Sequence, residues 1–256
     1  MKVVLTIAGS DSSGGAGIQA DLKTFEAFGV FGTSAVTVLT AQNTVGVQAI
    51  HPIPVSMILK QIESVVSDFD LSAVKIGMLF DTEIIEAITT FVKTLSIPVV
   101  LDPVCVSKAG SILLKHDAIG ALEELSRHVT LSTPNLHEAY ELFQYKMGDT
   151  DSLETLISHP TPVLIKNHAM GNVSTDLLYF KHQKWIFTSE LIDSTSQHGT
   201  GCSYSSAIAA NLALGYTLEE SIERSKRFIT EAIRHAPPIG IGRGPINHKA
   251  GGSYVA

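Results

Sequence analysis

Two cysteines, one tryptophan and a charged fraction of only 17% are the scarcities of this 256-residue chain. Cysteines at 105 and 202 form neither a disulfide framework nor a Cys-x-x-Cys metal pattern. A stapled secreted scaffold and a zinc ribbon are thereby excluded, and a reducing cytoplasm is the expected setting. No apolar run approaches the roughly 18 residues that a membrane helix needs, so no membrane partner is expected. The N-terminal run Met1 to Ala8 carries one charge and is too short for a signal peptide. Lys and Arg number 18 against 25 Asp and Glu, a net charge of −7, with no basic cluster. That balance argues against nucleic acid and points to small metabolites.

What the chain has is apolar residues, 45% of the total, enough for one sizeable α/β core or two small domains. Val3 to Ala8 reads as a strand buried on both faces, followed by a glycine-rich loop at 9–17 and a helix from Ile18 to Ala27. Strands at 34–40, 73–76, 98–101, 129–131 and 163–165 alternate with helices at 55–67, 82–94, 117–127 and 135–144. This alternation predicts a mostly parallel sheet covered by helices on both faces. Segments 176–180 and 184–188 flank Lys181-His182-Gln183 as an antiparallel hairpin at the sheet edge. Helices follow at 201–214 and 218–235. The stretch 145–152 reads as a long loop, and the Gly/Pro-rich stretch from Pro237 to Gly252 as irregular or mobile. Without repeats or a linker, residues 1–256 are expected to form a single domain. Ligands of such sheets gather at the carboxyl ends of strands. Gly9, Thr40-Ala41-Gln42, Gly77-Met78, Asp102-Pro103 and Lys166 are expected along that rim.

The central motif is His198-Gly199-Thr200-Gly201-Cys202, which runs into the Ala-rich helix after it. Glycines leave backbone N–H groups uncovered, and a helix start with its positive dipole end suits a phosphate or a developing anion. The same field lowers the pKa of a thiol at Cys202. The competing reading is a glycine loop capping a core helix, with a small buried cysteine. Gly15-x-Gly17-x-x-Ala20 matches a loose dinucleotide fingerprint, but Leu39-Thr40-Ala41-Gln42 lacks the acid that holds ribose. Gly9-x4-Gly14-Gly15 lacks the Lys and Ser/Thr of a P-loop. No HExxH or GxSxG pattern is present. Gln42 offers both donor and acceptor to a heteroaromatic ring edge, or simply ends a turn. Asn135 and Glu138, at i and i+3, suit a hydrated magnesium ion or a helix cap. Asp21 fits a helix start, and Lys166 and Asp102 sit where charge at a phosphate is useful or where the chain merely leaves the sheet.

Thr6-Ile7-Ala8-Gly9-Ser10-Asp11-Ser12-Ser13-Gly14-Gly15-Ala16-Gly17-Ile18-Gln19-Ala20-Asp21 closely resembles the opening of the hydroxymethylpyrimidine/phosphomethylpyrimidine kinases of thiamine biosynthesis. Val74-Lys75-Ile76-Gly77-Met78-Leu79, Leu101-Asp102-Pro103-Val104, Thr133-Pro134-Asn135-Leu136-x-Glu138-Ala139 and the Cys202 motif follow in the family's order. Gly244-Pro245-Ile246-Asn247-His248 is similar to its ending. The resemblance implies a ribokinase-like three-layer sandwich, a central mostly parallel sheet between helices. It implies ATP- and Mg2+-dependent phosphorylation of 4-amino-5-hydroxymethyl-2-methylpyrimidine and then of its monophosphate, in a homodimer. Cys202 takes the base position, and the amides of Gly199, Thr200, Gly201 and Cys202 take the transferred phosphoryl group. Gly9, Asp21, Gln42, Met78 and Val104 match the pyrimidine pocket, with Gln42 on the aminopyrimidine edge and Asp21 on the hydroxymethyl side. Lys166, Asn135 and Asp102 match the ATP and phosphate contacts, and Glu138 the magnesium position, acting through water.

Three departures stand out. Asn167-His168-Ala169 replaces the usual Gly-Gly-His, Cys105 replaces a Met, and Arg243 replaces a His. A pyridoxal or pyridoxine kinase on the same scaffold is the alternative, as is a non-catalytic pyrimidine or pyridoxal-phosphate binder.

Overall fold

The computed structural model describes residues 1–105 and 113–254, with the backbone alone at 167–170. The chain runs β1 (Val3–Asp11), α1 (Gly17–Ala27), β2 (Phe31–Gln42), β3 (Val47–Pro52), α2 (Val55–Val66), β4 (Leu71–Ile76), α3 (Thr82–Val92) and β5 (Val99–Leu101). A short 3-10 turn at His116–Ala118 leads into α4 (Ile119–Ser126), β6 (Leu131–Ser132), α5 (Leu136–Phe143) and α6 (Thr150–Ile157). Then come β7 (Val163–Met170), β8 (Val173–Phe180), β9 (Gln183–Glu190), α7 (Thr200–Ala213), α8 (Leu218–Arg234) and α9 (His248–Gly252).

These strands form one sheet in the order β3-β2-β1-β4-β5-β6-β7-β8-β9. The stretch from β2 to β7 is parallel. One edge is closed by antiparallel β3 and the other by the antiparallel pair β8 and β9. Strand side chains alternate between faces, and the parallel strands are apolar on both. Leu5 and Ile7 of β1, with Val74 and Ile76 of β4, join α2 to α6 in one core. Val4, Ala73 and Val100 point the other way, to Phe25 of α1, Tyr204 and Ile208 of α7 and Ile222 of α8. Two helical layers thus sandwich the sheet, as the strand–helix alternation implies.

The structure departs from the sequence reading at several elements. β3 is an added edge strand, only half buried on its core side, so its sequence shows no continuous apolar run. The hairpin strands reach Val173 and Glu190, and the turn between them is only Lys181 and His182, both at positive φ (48° and 59°). Where a long loop is expected, α6 begins at Thr150 under an Asp149 cap. The strand expected at 129–131 lies at Leu131–Ser132.

The Gly/Pro-rich stretch is also tied down. Gly242 donates to Thr44 Oγ1 (3.1 Å), Arg243 to Thr44 O (2.9 Å), and His198 to Gly244 O (2.9 Å). It straps the loop after β2 to the approach of α7, then ends in α9. There the His248 imidazole is buried against α7 with Ser203 Oγ 2.8 Å from its Nε2.

Burial, aided by nearby Lys23, pushes His248 from an ordinary 6.5 down to about 4. A histidine pKa depressed on folding contributes stability that is present above the unfolded value and lost as pH falls toward the folded one. We expect urea unfolding to show about 2 kcal/mol lost from this group between pH 7.5 and 5. His248→Gln should remove that share of the pH dependence; an unchanged dependence would show that α9 stays docked over a charged imidazole.

Candidate active site

Strand β1 ends in Asp11, whose carboxylate gathers the glycine-rich loop. Ser13 donates its N–H and its hydroxyl to Oδ1, both at 2.8 Å, while Gly15 and Ala16 donate to Oδ2 at 3.2 and 2.8 Å. His198 Nε2 lies 2.8 Å from the same oxygen. Burial works against the charge, but His198 and the loop donors hold Asp11 down at about 2. The loop therefore stays folded against the start of α7. Gly199 shows how closely: its φ is 81°, and a Cβ there would stand 1.8 Å from Gly15 O. Gly17, at φ 56°, would likewise drive a Cβ to 2.3 Å from Gly9 O.

α7 opens with no side-chain cap. Thr200 turns its N–H (3.3 Å) and hydroxyl (3.1 Å) back to Gln197 O, and Ser203 bonds Gly199 O. Among the described residues the N–H groups of Gly201 and Cys202 have no protein acceptor, as a helix N-terminus requires. Cys202 is half-buried beside them.

A cavity of about 520 Å3 opens here, at the carboxyl ends of β1, β4, β5 and β7. Gly9, Gln42, Met78 and Val104 line one side; Asp102, Asn135, Glu138 and Lys166 line another; Gly199, Gly201 and Cys202 close it. Thr200 instead faces a smaller cavity of about 180 Å3 between β8, β9, α7 and α8, which shares Lys166 and Gly201 with the larger one. Asp21 lines neither. It is fully buried in α1, ion-paired with Lys75 at 2.9 Å and accepting Thr6 Oγ1 (2.6 Å) and Ser206 Oγ (2.7 Å). The expectation that Asp21 reaches a substrate is corrected on that ground: its oxygens are spent inside the protein.

Beyond the polar wall, Lys166 forms a buried ion pair with Asp102, and Thr133 Oγ1 lies 3.3 Å from Asp102 Oδ1. Asn135 and Glu138 form a full capping box, with Asn135 N to Glu138 Oε2 at 2.8 Å and Glu138 N to Asn135 Oδ1 at 3.0 Å. The cap does not remove Glu138 from the cavity. Burial pushes Glu138 up to about 7, against the pull of Lys166 and with a further push from Asp102.

The thiol expectation is reversed. Burial raises Cys202 to about 11; Lys75 opposes the rise, Asp21 and Asp102 add to it, and the Gly17 N–H turned toward the sulfur lowers it. The helix start does not outweigh desolvation.

Gln42 keeps a free polar edge. Thr40 Oγ1 lies 2.9 Å from Ser10 O and 3.1 Å from Gln42 Oε1, so its one proton is shared between the two oxygens. The Gln42 Nε2 amide group faces His198 Nε2, at 3.3 Å. One amide N–H and one oxygen lone pair remain for a ligand. Asp11, His198 and Lys75 also line the cavity and escape the motif reading. A lysine inside the apolar run Val74-Lys75-Ile76 is the sequence signal for the last. The side chain of Asn167 lies outside the described residues.

Gly199→Ala should lower the melting temperature by roughly 5 °C, since a side chain at positive φ meeting backbone costs at least about 2 kcal/mol. Unchanged melting would mean that α7 is not seated on the Gly15 loop.

The profile of the phosphomethylpyrimidine kinase family matches residues 11–247. A hydroxymethylpyrimidine/phosphomethylpyrimidine kinase of Haemophilus influenzae is 43% identical, over 98% of this chain and 97% of its own. The thiamine biosynthesis bifunctional protein ThiED of Geobacter sulfurreducens is 44% identical over 96% of this chain and 52% of its own. Among solved structures, a pyridoxal kinase of Bacillus subtilis in complex with ADP superposes with a TM-score of 0.88 at 36% identity, covering 98% of each chain. With motif order, site geometry and full-length identity in agreement, the chain belongs to the hydroxymethylpyrimidine/phosphomethylpyrimidine kinases.

Proposed function

We propose that this kinase seats the pyrimidine in the larger cavity and ATP in the smaller one. One observation carries the reading: the two cavities meet at Gly201 and Lys166, where the bare N–H groups of α7 and the Cys202 sulfur stand together. Phosphoryl transfer needs little beyond in-line placement, charge neutralisation and a base for the attacking hydroxyl. The N–H groups of Gly201 and Cys202, with Gly199 holding the turn, receive the γ-phosphoryl oxygens. Lys166, aligned by Asp102, neutralises charge, and Asn135 borders the phosphate. The free edge of Gln42 pairs with the aminopyrimidine, between Gly9, Met78 and Val104. Cys202 accepts the hydroxymethyl proton.

The donor set fits magnesium through water. Among the described residues no group of three or more His, Cys, Asp or Glu forms a protein cage for a metal. Mg2+ commonly keeps its waters and leans on one or two carboxylates and on phosphate. Glu138, a carboxylate beside Lys166 and Asp102, is the residue that would hold it. When bound, the ion screens the charge of the phosphates; the cap made by Asn135 keeps Glu138 aimed at the cavity. We also propose one kinase domain over residues 1–256, acting as a homodimer in the cytoplasm. No described helix is long and apolar enough to cross a membrane.

The two acceptors differ in what they need. A hydroxymethyl group must lose a proton, whereas a phosphate monoester is already ionised at neutral pH, its second pKa lying near 6. Cys202→Ala should therefore slow phosphorylation of the alcohol by roughly a hundredfold or more and the monophosphate step far less. For the alcohol, turnover should rise with pH between 7 and 9 as the thiolate fraction grows, and lose that rise in the variant. Equal losses on both acceptors would remove the base role. Steady-state assays with ATP on the alcohol, its monophosphate and pyridoxal test the substrate assignment. The B. subtilis pyridoxal kinase makes pyridoxal the necessary third arm, and turnover of pyridoxal alone would overturn the pyrimidine reading.

A further inference from the structure

Lys75 lies on β4 with its side chain toward α1 and α7, fully buried, yet lining the floor of the large cavity. Its ammonium has three hydrogens. Among the described residues, Nζ has acceptors only in the two oxygens of Asp21, each at 2.9 Å, so one N–H is left over. Gly77 makes room for it, since a Cβ there would stand 2.8 Å from Nζ. Asp21 is joined in turn to Ser206, four residues after Cys202 on the same face of α7. A buried cation with a spare hydrogen therefore lines the same cavity as the Cys202 sulfur and is tied through Asp21 to α7 one turn beyond it.

We propose that Lys75 is a positioning residue that sustains negative charge on Cys202 Sγ, and that Asp21 tempers it. The inference rests on the reading of Cys202 as the base. In the step it serves, the hydroxyl proton passes to the thiolate sulfur and the freed oxygen forms the new P–O bond. The γ-phosphorus–oxygen bond to ADP breaks, and ADP takes that electron pair. Without a cation nearby, a sulfur this enclosed would hold its proton too tightly to act.

The charged groups around Cys202 are few. Asp21 of α1 and Asp102 after β5 disfavour a thiolate, while Lys75 of β4 favours one and is the strongest influence opposing burial. Lys166 of β7 interacts with the sulfur as well. On Lys75 itself burial opposes the charge, but Asp21, Cys202 and Asp102 outweigh it and raise its pKa.

The pairing gives the test its signs. If the pair is only structural, breaking it from either side should loosen the floor and change thiol reactivity in one direction. If charge is what matters, the two sides act oppositely. We would follow iodoacetamide alkylation of Cys202 against pH in the unliganded protein, reading the 202 peptide by mass so that Cys105 does not interfere. Asp21→Asn should lower the midpoint by about one unit and speed alkylation at pH 8 about threefold, the thiolate gain being partly offset by lower nucleophilicity. Lys75→Met should raise the midpoint and slow alkylation. Ser206→Ala, which removes a hydrogen bond to Asp21 but no charge, should leave the midpoint in place. If Lys75→Met does not fold, Asp21→Asn against Ser206→Ala decides alone. Rates that move the same way in both charge variants, or an Asp21→Asn rate no faster than Ser206→Ala, overturn the proposal. Alkylation reads the coupling whether or not Cys202 is the base; loss of the base role would show in Cys202→Ala turnover instead.

Discussion

Much of this site depends on a single carboxylate. Asp11 takes hydrogen bonds from Ser13, Gly15 and Ala16 in the loop that follows β1, and from His198, which lies 187 residues further along the chain. It thereby fixes the distance between the first loop of the fold and the helix that opens the last quarter of it. A polar loop of this kind would otherwise carry several unsatisfied N–H groups beside a cavity. With Asp11 in place, those groups face inward to a carboxylate, while Gly201 and Cys202 of α7 line the cavity. The close approach of Gly199 to Gly15 follows from that arrangement, and so does the glycine at each position. His198 carries the constraint onward to Gln42, so that this cavity-lining amide is oriented by the same carboxylate that seats the helix.

The floor of the cavity follows a second rule, that buried charge is matched by buried charge. Asp21 pairs with Lys75 and Asp102 with Lys166, all four deep in the fold. Such pairs are a weak source of stability, because desolvation of both partners offsets most of their attraction. Their placement at the strand ends is better explained by what they do to a third group. Glu138, raised to about 7, and Cys202, raised to about 11, are the two groups left without a dedicated counter-ion. Glu138 stands where a hydrated cation would bring one, whereas the sulfur, to act as the base, must take its charge balance from groups already in the protein.

Layer order, the parallel sheet and the rim at the strand ends were legible in the sequence, because strands buried on both faces leave short apolar runs that alternate with helix-length segments. The edges were not. β3 needs burial on one side only, α6 opens on the polar run Gly148-Asp149-Thr150-Asp151-Ser152 that reads as loop, and α9 is too short to display a period. In the site, Gly9, Gln42, Lys166 and Cys202 line the cavity at the strand ends and the glycine turn, where the sheet pattern and the motif led them to be expected. Asn135 and Glu138 suited both a cap and a cation equally well, and the structure has the cap while keeping Glu138 on the cavity wall.

Asp21 shows where local reading ends. A carboxylate in the first turns of a helix looks like an exposed group favoured by the dipole, and nothing near it in sequence says otherwise. Its partner is on β4, 54 residues away, and only the alternation of β4 side chains, with Val74 and Ile76 on one face and Lys75 on the other, turns the two toward each other. The same limit explains the thiol. A position at a helix start argues for a lowered pKa, but the sulfur's enclosure is a property of α1, β4 and α7 packed together, and desolvation outweighs a dipole that acts over a single turn. Chemistry that depends on which groups a residue is buried among is decided by packing, so the charge state of Cys202 has to be sought in Lys75 and Asp21 rather than in the glycine motif that announces it.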